Sequence, residues 1–153
     1  MRTKRYKYIR NFYPLRPYTN ENQYKRRQYP VLTLMELMHE RGELEPEQAQ
    51  RMAPHRPTEE LYDLKNDPDE VNNLADDPAH EETLKHLREQ LDAWICETGD
   101  QGQVPEDPEV AMEWDRFFEK RWASYADKLG FDPREEKERY LEWWGEKMRK
   151  MKS

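Results

Sequence analysis

The stretch Glu59–Ala75, EELYDLKNDPDEVNNLA, constrains the chain more than any other. Leu61 and Leu64 flank Tyr62 in a short strand-like run that the cluster Asn66-Asp67-Pro68-Asp69 stops. Proline fixes its own φ, and Asp or Asn side chains bond the backbone just ahead of them, so the turn is tight. Val71, Asn72, Asn73 and Leu74 then read as a short helical turn. By this physics the stretch is strand, turn and helical turn, with no chemistry attached.

A second strand pattern lies at Thr3–Asn11, where Tyr6 and Tyr8 alternate with Lys7 and Ile9. A strand so placed needs neighbours to bond to. Phe12–Tyr29 reads as loop, broken by Pro14 and Pro17 and by the Asn20, Asn22 and Gln23 cluster. Val31–Arg41 reads as a short amphipathic helix with a Thr33/Glu36 capping box, the stripe Leu34, Leu37 and Met38, and Gly42 as its stop. Glu45-Pro46-Glu47 starts another short helix through Met52.

Three further helices share one start, Asp then Pro, as N-cap and first helical residue. Asp77-Pro78 opens a helix to Thr98 with Leu84, Leu87, Leu91, Trp94 and Ile95 on one face and Gly99 as its cap. Asp107-Pro108 opens a second, with Val110, Trp114, Phe118, Trp122, Tyr125 and Leu129 in its stripe, ending at Gly130. Asp132-Pro133 opens a third, with Tyr140, Trp143, Trp144 and Met148. The segment Gly99–Pro105 is the expected internal boundary.

Charged residues make up 39% of the 153 and apolar ones 35%, a balance that leans toward solvated helices. Five Trp, nine Tyr and four Phe need something to bury against, so the expectation is a folded chain with a thin core. The net charge of −7 is uneven: residues 1–29 hold nine Lys/Arg against Glu21 alone, hence +8, and the remainder carries −15. No apolar run reaches transmembrane length, and the basic N-terminus lacks a following apolar core.

The search for reactive groups returns little. His39, His55, His80 and His86 lie on different segments, and His80 and His86, six apart, sit 120° from alignment on a helix. Neither HExxH nor a Cys/His pairing is present. Glu59-Glu60 and Asp67, Asp69 and Glu70 read as turn-formers and solvated faces before they read as acid/base pairs. Calcium ligation by Asn66, Asp67 and Asp69 breaks against Pro68 and the missing loop acids of an EF-hand. Cys96, beside Glu97 near a helix end, has no neighbouring cation in sequence to activate it. The alternation Arg5-Tyr6-Lys7-Tyr8 resembles a single-strand nucleic-acid platform, yet a sheet strand facing acidic neighbours fits a chain of pI 5.3 better. The Trp/Phe stripe after Asp107 is expected to be core or a docking face. No residue is assigned a catalytic, cofactor-binding or metal-binding role.

The wording of three segments carries a resemblance. RTKRYKYIRNF at Arg2–Phe12, RPTEELYDLKNDPDEVNNLADDP at Arg56–Pro78 and LDAWICETGD at Leu91–Asp100 together resemble the C-terminal part of type I sulfatases, in the branch that includes heparan N-sulfatase. The resemblance implies an α+β subdomain: a small antiparallel sheet built from Arg2–Asn11 and Glu60–Leu64, with a long helix, Pro78–Thr98, packed on it. It places residues 1–106 in that subdomain and leaves 107–153 as a helical extension.

In that family the subdomain rests on an alkaline-phosphatase-like α/β catalytic domain that is absent from this sequence. The family hydrolyses sulfate esters or N-sulfates of sulfated glycans, using formylglycine from a C/S-x-P-x-R motif beside a calcium ion. Cys96 is followed by Glu97, Thr98 and Gly99 and does not match that motif, so no catalytic residue carries over. The resemblance therefore implies an inactive fragment whose partner is the missing catalytic domain and whose parent is secreted, periplasmic or lysosomal. The alternative is an interaction module that binds a protein or a sulfated polyanion through the basic, Tyr-rich N-terminus. Neither reading expects nucleic acid or a membrane as partner.

Overall fold

Two sequence-distant strands meet at the centre of the first compact unit. The computed structural model describes residues 1–19 and 23–152, so Asn20 and Asn22 of the expected loop lie outside the described residues. The chain divides into one unit of residues 1–18 and 53–105 and another of 19–52 and 106–153.

In the first unit β1 (Tyr6–Arg10) pairs antiparallel with β2 (Glu59–Asp63), with Tyr8 opposite Leu61. The ladder continues past both ends through Leu64 N to Arg5 O (2.7 Å) and Asn11 N to Thr58 O (2.9 Å). The remaining edge of β1 is met by Met1, whose amine and carbonyl bond Tyr8 O and Tyr8 N, both at 2.9 Å. The remaining edge of β2 is met by Asn73 and Leu74. Asn73 Oδ1 accepts from Leu61 N at 2.9 Å, and Leu74 N donates to Leu61 O at 2.8 Å. That pairing holds 71–74 along the strand, so the helical turn expected there does not form.

The even residues of β1 and the odd residues of β2 turn one face to α4 (Glu81–Thr98), which follows a 3₁₀ turn at Pro78–His80. Tyr8, Leu61, Leu84 and Leu87 form its core, flanked by Tyr6, Leu74, Ala75 and Leu91. Burying side chains of this size stabilises by about 1.5–3 kcal/mol each. Asp77 caps the 3₁₀ turn, its carboxylate accepting from Ala79 N at 2.9 Å, so α4 itself begins at Glu81 and not at the expected Pro78, and Gly99 closes the helix at φ +64°. Trp94, placed by spacing on the buried face, is 47% exposed. On the opposite sheet face Tyr62 donates to Glu60 (2.6 Å), which also accepts from Asn11 Nδ2 (2.6 Å).

The second unit is helical. It contains α1 (Gln23–Gln28), α2 (Val31–Glu40), α3 (Pro46–Gln50), α5 (Pro108–Leu129) and α6 (Lys137–Lys152). Helix α1 corrects the loop expected over 12–29: no Gly or Pro interrupts residues 23–28, and Pro30 ends the run. The Thr33/Glu36 cap is also corrected. Helix α2 starts at Val31, Thr33 lies buried inside it, and Glu36 instead takes both guanidinium nitrogens of Arg26 at 2.8 and 2.5 Å. Helix α3 carries a capping box of Glu45 and Gln48.

Asp107 caps α5 through Glu109 N (2.8 Å), and Gly130 ends it at φ +75°. Asp132, expected to cap the last helix, is used otherwise. Its Oδ1 accepts from Trp122 Nε1 (2.9 Å) and Arg134 N (2.8 Å), and α6 begins only at Lys137. Trp122 and Tyr140 are fully buried, and Phe131, Tyr140 and Trp144 form a cluster that Tyr125, Leu129 and Trp143 flank. The aromatic stripe of α5 therefore splits. Its C-terminal half is core, while Val110, Trp114, Phe117 and Phe118 stay 41 to 52% exposed.

Leu87, 2% exposed against Tyr8 and Leu61, sets a test of the sheet–helix core. Leu87→Ala is expected to cost about 2–5 kcal/mol in urea unfolding followed by circular dichroism. A loss below about 1 kcal/mol contradicts this packing.

Candidate functional site

Several residues singled out by sequence, among them Arg5, Lys7, Glu59 and Asp67, lie at the sheet of the first unit and hold it together. Arg5 Nε and Nη2 grip Asp63 at distances from 2.8 to 3.3 Å, and Asp63 also accepts from Lys65 N and Asn66 Nδ2. The Arg5 guanidinium, helped by those donors, holds the Asp63 carboxyl at about 2, below the ordinary aspartate value of 3.8. Lys7 pairs with Glu70. Glu70 sits at φ +58°, a left-handed conformation that costs an L-residue about 1–2 kcal/mol, and its ion pair offsets part of that.

Helix α4 is joined to the sheet by two ion pairs of opposite sense. Arg88 of the helix clasps Glu59 of β2 at 2.8 and 2.6 Å, while Arg10 of β1 reaches Asp92 of the helix. Between them the buried Tyr8 hydroxyl donates to Glu59 and accepts from Arg10 Nε at 3.1 Å. Arg88 draws the Glu59 carboxyl below its ordinary range, and Arg10 does the same to Asp92. Burial, with Glu59 as acceptor, pushes the Tyr8 phenol up. These groups are locked in their charged or hydrogen-bonded forms, and none is poised to exchange a proton near neutral pH.

The acidic turn is likewise spent on backbone. Asp67 accepts from Val71 N (3.1 and 3.0 Å) and Asn72 N (2.8 Å). Asn73 bonds three backbone groups: Leu61 N, Ala75 N at 3.0 Å and Glu59 O at 3.1 Å. His80 meets Asp77 at 3.1 Å, His86 meets Gln90 at 3.1 Å, His55 lies 3.4 Å from Leu15 O, and His39 is exposed on α2. Cys96 is exposed on α4. Among the described residues no group of three or more His, Cys, Asp or Glu is placed to hold a metal ion. Of the residues weighed for calcium or formylglycine, Asn66 and Asp67 are committed to the turn, and Cys96 does not match the motif.

Sequence reasoning missed Arg88, Asp92 and Asn73 as key residues. Arg88 and Asp92 are four apart and read as a pair within one helix; each instead faces a partner on the sheet. Asn73 carries no local signal of its long-range role.

Comparison with known proteins supplies a likeness where chemistry supplies none. The chain is 39% identical over 114 residues to an ulvan-active sulfatase of Formosa agariphila, covering 74% of this chain and 19% of that protein. A second ulvan-active sulfatase of the same organism is 33% identical over 100 residues, 65% of this chain and 17% of that protein. Human N-sulphoglucosamine sulphohydrolase is 51% identical over 41 residues, 27% of this chain and 8% of that protein. No family profile and no solved structure matches the chain. The matched segment spans less than a fifth of each relative. These relatives bear out the resemblance to sulfatases, with the N-sulphoglucosamine sulphohydrolase branch among them. The α+β class with its antiparallel pair and packed helix is borne out as well.

The depressed carboxylates predict an acid transition. Their contribution is present above the ordinary values of 4.5 for Glu59 and 3.8 for Asp63 and Asp92. It is lost as pH falls through the folded values, toward about 2 for Asp63. The thermal midpoint should therefore fall steadily below pH 4.5, and Asp63→Asn should flatten the lower part of that curve. A midpoint independent of pH over this window contradicts the ion-pair account.

Proposed function

We propose that this sulfatase-related chain is the supporting module of a sulfuric ester or N-sulfate hydrolase that acts on a sulfated glycan. The hydrolysis belongs to a catalytic domain that this sequence does not include, and the chain adds no catalytic residue to it. Calcium and formylglycine belong to that domain. The relatives are named for ulvan and for N-sulphoglucosamine, which supports the sulfated-glycan class.

One observation carries this reading. The polar residues of the resembling segment are consumed by architecture: Asp63 by Arg5, Asp67 by two backbone amides and Asn73 by three backbone groups. A segment recognisable in this way, and so fully engaged, is a folding element. Residues 1–106 are the sulfatase-like part and 107–153 an extension, although a match of 114 residues takes in part of that extension.

The alternative, polyanion binding through the N-terminal strand, would have to work with three cations that are already engaged. Arg5, Lys7 and Arg10 each face a carboxylate within the same unit. Among the described residues no helix is long and apolar enough to cross a membrane.

The purified chain should show no turnover of an aryl sulfate or of N-sulfoglucosamine with calcium present. Turnover above background, retained after further purification, overturns the proposal.

A further inference from the structure

Many cations of this protein meet an acid. Arg88, Arg134 and Lys137 join Arg5, Lys7 and Arg10 in carboxylate pairs. One face of α5 departs from this pattern. A cavity of about 430 Å³ there is lined by Arg27, Lys120, Arg121 and Lys128, with Phe117, Ser124 and Tyr125 between them. Among the described residues no acid lines it, in a protein of net charge −7. Lys120, Arg121 and Lys128 form no ion pair among the described residues.

The local cause is helical spacing. Residues 117, 120, 121, 124 and 128 recur every three or four positions and share one face, a row about 16 Å long at 1.5 Å per residue. Arg27 lies against this row from α1, its guanidinium 4.5 Å from the centre of the Tyr125 ring. Arg27 Nε is buried without a hydrogen-bond partner among the described residues. Arg121 stands over Phe117 at 5.5 Å. Rings hold the two guanidinium planes in place without occupying their N–H donors. Phe117 lies edge-on to Trp114 at 5.6 Å, continuing the groove into the exposed aromatic half of α5.

We propose that this groove binds a sulfated oligosaccharide. Lys120, Arg121, Lys128 and Arg27 take its sulfate groups, and Tyr125 and Phe117 take the apolar faces of its sugar rings. Open guanidinium forks suit the oxygens of an ester sulfate, and the length of the row suits an extended chain better than a single anion. The anion preference stands on the groove alone; the choice of a glycan over a nucleic acid rests on the sulfatase reading above. The groove would hold a polymer near the parent enzyme.

Calorimetric titration of the full chain tests this with a heparin-derived hexasaccharide, its desulfated counterpart and an oligothymidylate. The sulfated probe should bind, weakening between about 50 and 200 mM salt, and the desulfated one should not. Lys120→Glu with Arg121→Glu, both exposed positions, should lower affinity about tenfold or more with an unchanged circular dichroism spectrum. Lys4→Gln should leave binding unchanged. No binding, equal binding of the desulfated probe, or indifference to the double substitution overturns the groove. Tighter binding of oligothymidylate overturns the glycan assignment. Turnover of a sulfated substrate by this chain overturns the supporting-module reading and leaves the groove standing.

Discussion

A sheet of two strands has no interior, so each strand presents an unpaired edge to water. Such a ribbon is marginal unless something covers its edges and one face. Here Met1 closes one edge, and Asn73 with Leu74 closes the other. Helix α4 then covers the face that carries Tyr8 and Leu61. Leu61 is the pivot: its side chain is fully buried, its N–H meets Asn73 and its carbonyl meets Leu74. The turn from Asp63 to Asn72 exists to bring Asn73 back to that point, and Asp67 and the Lys7–Glu70 pair fix its path.

A thin apolar core leaves the docking of helix on sheet to charge. Arg88–Glu59 and Arg10–Asp92 point in opposite senses, so sliding α4 along the sheet breaks both at once. Exposed ion pairs add little stability singly, about 0–1 kcal/mol each, yet such an arrangement fixes register. The excess of positive charge in residues 1–29 is answered in the same way. Arg5, Lys7 and Arg10 pair within the first unit and Arg26 pairs with Glu36 in the second. The basic end that the sequence presents is thus, in three dimensions, neutralised at these four cations. The α5 groove, which looks unremarkable in sequence, keeps its charge.

Local rules made much of this legible. Asp77 and Asp107 cap helices, Gly99 and Gly130 end them in left-handed geometry, and alternation located both strands to within a few residues. Failures came where a distant partner competed for a local group. Asp132 is a sound cap by sequence, but the Trp122 indole takes its carboxylate. Glu36 is a sound capping-box residue, but Arg26, ten positions earlier, takes it. Helix α1 was hidden because its six residues carry no apolar period. Asn73, Arg88 and Asp92 acquire their roles only once the strands have paired.

The central claim is that Glu59–Ala75 is a folding element whose edge pairing holds the sheet. Native-state hydrogen exchange on the intact chain measures this directly. The account predicts that the amides of Tyr8, Leu61 and Leu74 are protected together with those of α4, and that Asn73→Ala releases Leu61 and Leu74 in concert. Free exchange of Leu61 and Leu74 in the unaltered chain while α4 remains protected would contradict it.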